Sequence, residues 1–182
     1  NSMFFAGMPV KVNDSHEDYA AMTIGNYMLG GGFLNSRLAT RIRQEEGLSY
    51  GVGSWFSASS QDDGGSFGAY AISAPENTAK VKEAFIDEIN KMKNEGFTQE
   101  ELDAAKSGWL QSRMVSRSQD SRLTGSLNNN LRLDRTMMWD KEMEEKLSNL
   151  TLEEVNNAMK KHIDPNKMIY VKAGDFAKVK EE

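Results

Sequence analysis

Cysteine is absent from this 182-residue sequence, and histidine occurs only twice. The first absence excludes disulfides, thiolate zinc sites and thiol catalysis. It suits the cytoplasm and the periplasm equally, so the compartment stays open. His16 and His162 lie nearly the whole sequence apart, and no motif such as His-x-x-Glu-His places two imidazoles on one helix face. The sequence therefore predicts no metal site made by this chain alone.

Long hydrophobic runs and an excess of positive charge are also missing. No apolar segment approaches the roughly 20 residues that span a bilayer. The net charge of −5 argues against nucleic acid as the main partner, because phosphate binding requires a basic surface. We expect a single soluble domain over residues 1–182. Because the sequence starts at Asn1 rather than at methionine, we expect either a mature, processed product or a fragment of a longer protein, and the fragment is the preferred interpretation.

Two further classes of site lack their motifs. No Gly-x-Ser-x-Gly occurs, so serine hydrolysis has no support. The run of Gly30, Gly31 and Gly32 lacks the Gly-Lys-Ser/Thr ending of a phosphate-binding loop, and it follows a helical pattern rather than a strand. A hinge or a reversal of the chain is therefore the preferred interpretation of these glycines.

The segment that follows the glycines carries the strongest functional signal. Residues 36–46 predict a short helix with one apolar side, formed by Leu38, Ala39 and Ile42. Gly47 is expected to end this helix, because only glycine enters the left-handed C-cap conformation without steric cost. From residue 48 onward the pattern is typical of a strand.

Arg43 and Tyr50 are the candidate site residues of this segment, seven positions apart. A chain reversal at Gly47 would bring the phenol beside the guanidinium. Two donors would then converge on one point, which suits a peptide carbonyl or the oxyanion derived from it. The alternative is a solvated helix arginine and a strand tyrosine half-buried in the core.

The same segment resembles a known family. Gly-Gly-Gly-x-x-x-Ser-Arg-Leu, followed by a helix, an arginine and Gly-Leu-Ser-Tyr, is similar to the second domain of zinc peptidases of the pitrilysin, insulinase and mitochondrial-processing-peptidase family. The resemblance runs from about Phe4 to Phe176. Members of that family pair two similar α+β domains across a chamber. The first domain binds zinc through His-x-x-Glu-His, and the second contributes an arginine–tyrosine pair that contacts substrate.

The resemblance implies that this chain is the non-metal half of a zinc-dependent metalloendopeptidase of two or four domains, inactive by itself. Arg43 and Tyr50 would contact the substrate carbonyl, and Gly30, Gly31 and Gly32 would help to guide the peptide. Zinc is expected in a partner domain or subunit that carries His-x-x-Glu-His. The alternative within the same fold is a non-catalytic structural or peptide-binding subunit.

The order of predicted elements favours an α+β fold, an antiparallel β-sheet with helices packed on one face. Strands are expected over residues 3–10, 50–59, 66–74 and 168–174, with a hairpin between the second and third. A run of helices separates the hairpin from the last strand.

Local signals predict where several helices begin. Capping boxes are expected at three pairs of residues: Ser15 with Asp18, Thr98 with Glu101, and Thr151 with Glu154. The helix after Thr98 is expected to turn four side chains inward: Leu102, Ala105, Trp109 and Met114.

Overall fold

The computed structural model describes residues 1–32 and 35–177. Its principal elements are β1 (Ser2–Val10), α1 (Tyr19–Asn26), a π-helical turn (Tyr27–Gly31), a second π-helix (Ala39–Glu45), β2 (Ser49–Ala58), β3 (Gly65–Ser73), α2 (Thr78–Glu95), α3 (Gln99–Arg117), α4 (Asp120–Arg132), α5 (Met137–Asn149), α6 (Leu152–His162) and β4 (Ile169–Ala173). None of the helices in these two ranges combines the length and the apolar character that crossing a bilayer requires.

The strands form one antiparallel sheet in the order β2–β3–β1–β4. β2 and β3 make the predicted hairpin, and β1 pairs along its whole length with β3. β4 returns from the far end of the chain to pair with the other side of β1. The predicted α+β class and its antiparallel sheet are confirmed.

Helices cover one face of this sheet. Along β1, Phe4 and Ala6 are buried, whereas Phe5 between them is 38% exposed, as the two-residue period of a strand requires. Helix α2 packs on the buried face, where the rings of Phe4 and Phe85 lie 5.5 Å apart. Four apolar residues at helical spacing line this face of α2 and are all buried: Val81, Phe85, Ile89 and Met92. The opposite face of the sheet exposes five large apolar side chains: Phe5, Trp55, Tyr70, Ile169 and Val171.

Two of the predicted capping boxes are present. Thr98 and Glu101 exchange side-chain and backbone hydrogen bonds at the start of α3, and Thr151 and Glu154 do the same for α6. Each pair satisfies backbone N–H groups that the first turn of a helix leaves without partners. Each of these helices therefore begins where its own sequence predicts.

Two local predictions are wrong. The predicted box of Ser15 and Asp18 does not form: α1 begins at Tyr19, and no side chain caps it. The Asp18 carboxylate instead accepts hydrogen bonds from side chains at the end of α6. Met114, predicted to face inward, is 67% exposed, because the apolar contact of α3 ends before its last two turns.

Candidate substrate-contact site

The helix that carries Arg43 is wound as a π-helix over Ala39–Glu45. The N–H of Glu46 donates to the carbonyl of Arg41, five residues back, at 3.2 Å. The three residues predicted for its apolar side are all buried: Leu38, Ala39 and Ile42. Helices of this kind are rare and occur frequently at functional sites. The predicted helix is confirmed, but its winding was not predicted.

The chain reverses at Gly47, as predicted. Gly47 has φ of +61°, and the following N–H, that of Leu48, donates to the carbonyl of Ile42 at 2.9 Å. A Cβ added at Gly47 would meet no atom within 4 Å, so the backbone conformation rather than space favours glycine here. This hydrogen bond places the residue before Arg43 beside the start of β2.

Tyr50 is the extra residue of a β-bulge at the start of β2. Ser49 pairs with Ser73 and Gly51 pairs with Ile72, so Tyr50 has no partner across the ladder. A bulge of this kind changes the direction of a side chain and is common beside active sites. The ring of Tyr50 is 65% exposed. The alternative that Tyr50 is half-buried in the core is therefore wrong.

Ser49 holds the bulge in place. Its hydroxyl lies 2.7 Å from the carbonyl oxygen of Gly51 and 2.8 Å from that of Ile72, and it also accepts from the N–H of Gly51 at 3.2 Å. The serine of the Gly-Leu-Ser-Tyr motif thus forms hydrogen bonds with backbone groups that the irregular strand pairing leaves without partners.

Arg43 is exposed on the outer side of its helix. Among residues 1–32 and 35–177, no ion pair or side-chain hydrogen bond involves Arg43 or Tyr50, whereas the neighbouring Arg41 pairs with Glu46 at 2.6 Å. The structure thus places both predicted residues in solvent on either side of one reversal. Their donors are available to a ligand.

Close packing explains why glycines occupy positions 30 to 32. Gly30 is buried where the π-helical turn meets β2, and a Cβ there would lie 2.5 Å from Oγ of Ser54 and 2.7 Å from its backbone nitrogen. A Cβ on Gly31 would lie 2.7 Å from Nδ2 of Asn26. Gly32 ends the turn, its N–H donating to the carbonyl of Tyr27 at 2.7 Å. The substrate-guiding role of these glycines stays a prediction.

Gly30→Ala is expected to destabilise the fold by about 1–3 kcal/mol, because the new methyl group would overlap backbone as well as a side chain. Gly125→Ala is the matched control, since Gly125 is helical and a Cβ there would meet nothing within 4 Å. That change should stabilise the protein by about 0.5–1 kcal/mol. Urea denaturation measures the free energy of unfolding of both variants. Equal changes in the two variants would contradict the close contact at Gly30.

Arg37, in the Ser-Arg-Leu motif, anchors the site, a role that sequence reasoning missed. Its guanidinium donates to both carboxylate oxygens of Glu101, at 2.6 and 2.8 Å, and to the carbonyl of Gly96 at 2.8 Å. Its Nη1 lies 3.7 Å from the buried carboxylate of Glu88, and its plane stacks 4.6 Å from the Phe97 ring centroid. The start of the Arg43 helix is thereby tied to α2 and α3. The bidentate geometry requires arginine rather than lysine.

The pKa of Glu101 is lowered by this arrangement. Burial raises the pKa, but hydrogen bonds from Arg37 and Thr98, with the charge of Arg37, outweigh burial and hold it below its ordinary value of 4.5. A lowered folded-state pKa stabilises the fold above pH 4.5, and this stabilisation is lost as the pH falls through the folded-state pKa.

We therefore expect Glu101→Gln to destabilise the protein at neutral pH and progressively less in acid. The measurement is the difference in unfolding free energy between the two proteins as a function of pH. The difference should begin to shrink below about pH 4.5, where the Glu101 carboxylate of the unfolded wild-type chain starts to take up a proton. A difference that stays constant down to about pH 3 would show that the charge of Glu101 contributes nothing.

Comparison with known families identifies the fold. Residues 2–108, more than half of the chain, match the family model described as the peptidase M16 inactive domain. The chain belongs to this family. The match includes the triple glycine, the Arg43 helix and the whole β2–β3 hairpin. The matched region therefore contains the segment that forms the candidate site.

Curated relatives extend the similarity along the chain. A Helicobacter pylori protein named non-peptidase homolog YmxG is 29% identical over 168 residues, which cover 91% of this chain and 38% of that protein. A Streptomyces coelicolor protein named as an uncharacterized zinc protease is 34% identical over 125 residues, covering 69% of this chain and 26% of that one. The M16 chain thus spans less than two fifths of the length of these relatives.

Solved structures share the fold. A peptidase M16 inactive domain from Pseudomonas fluorescens superposes with a TM-score of 0.81 at 27% identity, covering 95% of this chain and 40% of that one. An inactive peptidase domain from Bordetella parapertussis gives a TM-score of 0.77 at 16% identity, covering 95% of this chain and 92% of that one. The latter shows that this fold exists in a chain of nearly this length.

Proposed function

We propose that this M16 domain is the substrate-binding, non-metal half of a zinc-dependent metalloendopeptidase, part of a longer protein of two or four domains. The observation that carries the proposal is the pair of exposed donors, Arg43 and Tyr50, that have no side-chain partner within residues 1–32 and 35–177. The naming of the Streptomyces relative as a zinc protease supports the reaction class.

The two side chains supply complementary donors to a bound peptide. The guanidinium of Arg43 offers a permanent positive charge, and the phenol of Tyr50 offers a neutral O–H. Both would hold the carbonyl of the scissile bond or of its neighbour. When that carbonyl becomes tetrahedral its oxygen gains negative charge, so donors already in position stabilise the transition state more than the substrate.

Local structure favours such preorganisation. The bulge fixes the backbone of Tyr50 through Ser49, and the hydrogen bond between Leu48 and Ile42 fixes the reversal. Donors on a rigid backbone require little reorganisation during the reaction. A partner domain with His-x-x-Glu-His would hold zinc and supply water activation. No histidine of this chain lies on the Arg43 helix, on β2 or on the turn between them.

The test compares this chain alone with the complete protein to which it belongs, using a fluorogenic peptide library. We expect cleavage by the complete protein, loss of cleavage after chelation, and no cleavage by the 182-residue chain. Cleavage should return when the chain is mixed with the separately produced remainder. Chelator-sensitive cleavage by this chain alone would overturn the composite site.

A second candidate is a peptide-binding or structural subunit without turnover. The name of the Helicobacter pylori relative, a non-peptidase homolog, favours it. The same experiment separates the candidates, because a complete protein that binds library peptides without cleaving them would support the second. Arg43 and Tyr50 would then contribute to peptide affinity alone.

A further inference from the structure

The only two histidines of the sequence meet in the folded protein, although 145 residues separate them. The imidazoles of His16 and His162 lie edge to face with ring centroids 5.5 Å apart. The carboxylate of Asp18 joins them, and one donor atom from each of the three residues lies within 4.8 Å of the other two. Two nitrogens and one oxygen thus converge on one point.

We propose that the His16–Asp18–His162 cluster binds a divalent transition-metal ion, Zn²⁺ or a close analogue. Nε2 of His162 lies 2.7 Å from Oδ2 of Asp18, and Nδ1 of His16 lies 3.9 Å from the same oxygen. Ligand atoms about 2.0–2.1 Å from a tetrahedral zinc ion are roughly 3.3 Å apart. The two measured distances fall on either side of that value. Because Nδ1 of His16 accepts the backbone N–H of Asp18, the His16 ring must rotate out of that hydrogen bond to present that nitrogen to the ion.

The fold presents one of these ligands from a helix end and two from the turn that precedes the neighbouring helix. Asp18 immediately precedes α1, and His162 is the last residue of α6, which lies against α1. The three side chains are partly exposed, at 29%, 22% and 10% for His16, Asp18 and His162. His16 also lines a cavity of about 310 Å³ that opens beside the cluster. The site therefore lies between the end of α6 and the turn before α1, and it is open to solvent and additional ligands.

Two groups compete with the metal. The ammonium of Lys161 lies 2.8 Å from Oδ2 of Asp18, and the N–H of Asp18 donates to Nδ1 of His16 at 3.0 Å. Lys161 is 56% exposed, so it can move away from the carboxylate, but its interaction with Asp18 must then be broken and its positive charge stays near the cation. Removing its charge should therefore strengthen metal binding.

The ligand set selects the class of metal. Two imidazoles and a single carboxylate suit Zn²⁺, Co²⁺, Ni²⁺ and Cu²⁺, whereas Ca²⁺ and Mg²⁺ require mostly oxygen ligands. With no cysteine and no other histidine in the sequence, binding of these softer ions reports on this cluster. The ion would be separate from any zinc in a partner domain.

The experiment titrates the untagged 182-residue chain with Zn²⁺ by calorimetry and with Co²⁺ by visible absorption, with Mg²⁺ as the negative probe. We expect one ion per chain, a Co²⁺ d–d band and a higher unfolding temperature with Zn²⁺. His162→Gln should weaken binding at least about tenfold while keeping a hydrogen-bonding side chain. Lys161→Met should bind Zn²⁺ more tightly than the wild type.

Circular dichroism of each variant confirms that it is folded before the titration. The inference is overturned if the wild-type chain shows no saturable heat or d–d band, because the cluster is then an ion pair only. It is also overturned if folded His16→Gln and His162→Gln bind Co²⁺ as tightly as the wild type. An affinity that is unchanged in Lys161→Met would exclude Asp18 as a ligand and contradict the site.

Discussion

Arg43→Ala is expected to lower kcat/KM for peptide cleavage by the complete protein by about 10²–10³-fold, with no change in its unfolding temperature. Removing one preorganised donor to an oxyanion costs about 2.7–4 kcal/mol of transition-state stabilisation. The fold should be unaffected, because Arg43 is exposed and makes no ion pair or side-chain hydrogen bond within the described ranges. Substitutions of exposed residues of that kind usually change the free energy of unfolding by less than about 0.5 kcal/mol.

Tyr50→Phe and Arg41→Ala complete the test of the substrate contact. Tyr50→Phe removes only the phenolic O–H, so it should reduce kcat/KM without loosening the bulge. Arg41 lies on the same helix as Arg43 but pairs with Glu46, so Arg41→Ala should leave turnover nearly unchanged. Steady-state kinetics and thermal denaturation of all three variants provide the measurement. A large decrease in the unfolding temperature of Arg43→Ala with normal turnover would refute the role of Arg43 in substrate contact.

Arg37→Met is expected to lower the unfolding free energy by about 3–5 kcal/mol, the usual effect of breaking a buried ion pair. The variant keeps an apolar side chain against Phe97 but leaves the carboxylates of Glu88 and Glu101 without their cation. Glu88 is 8% exposed and Arg37 is 15% exposed, so water cannot replace the lost interaction fully. The effect arises mainly from the charge that stays buried.

A double-mutant cycle separates the contributions to this network. Adding Glu101→Gln to Arg37→Met removes one of the orphaned charges and should recover part of the loss. Lys141→Ala is the control for an exposed pair, because Lys141 and Glu145 are more than 60% exposed and 3.7 Å apart. It should cost less than about 1 kcal/mol. Urea is the denaturant of choice, because guanidinium chloride would screen these charges. If Arg37→Met lowered the free energy of unfolding no more than Lys141→Ala does, the proposed network would be contradicted.

Features encoded by neighbouring residues were predictable. The stop at Gly47, the turn between β2 and β3 and the capping boxes that begin α3 and α6 each depend on residues close together in the sequence. The fold class followed from the order of these elements. The location of the two candidate residues beside one local reversal was predictable to the same extent, whereas the substrate contact of Arg43 and Tyr50 stays a prediction.

Features that depend on pairing between distant segments were not predictable. The bulge at Tyr50 exists because β2 pairs with β3 out of step by one residue, which the alternation of β2 alone does not show. The role of Arg37 depends on Glu101, 64 residues away, and a charged helix residue is usually solvated. Asp18 caps no helix because its carboxylate has a partner on α6.

The amino-acid sequence alone determined the succession of helices and strands and the position of the reversal, since short-range sterics and hydrogen bonding govern both. Tertiary structure alone decided which charges are neutralised and which imidazoles meet. Those outcomes depend on distances in space between residues as far apart as His16 and His162. Electrostatic interaction and metal ligation respond to those distances and not to separation along the chain.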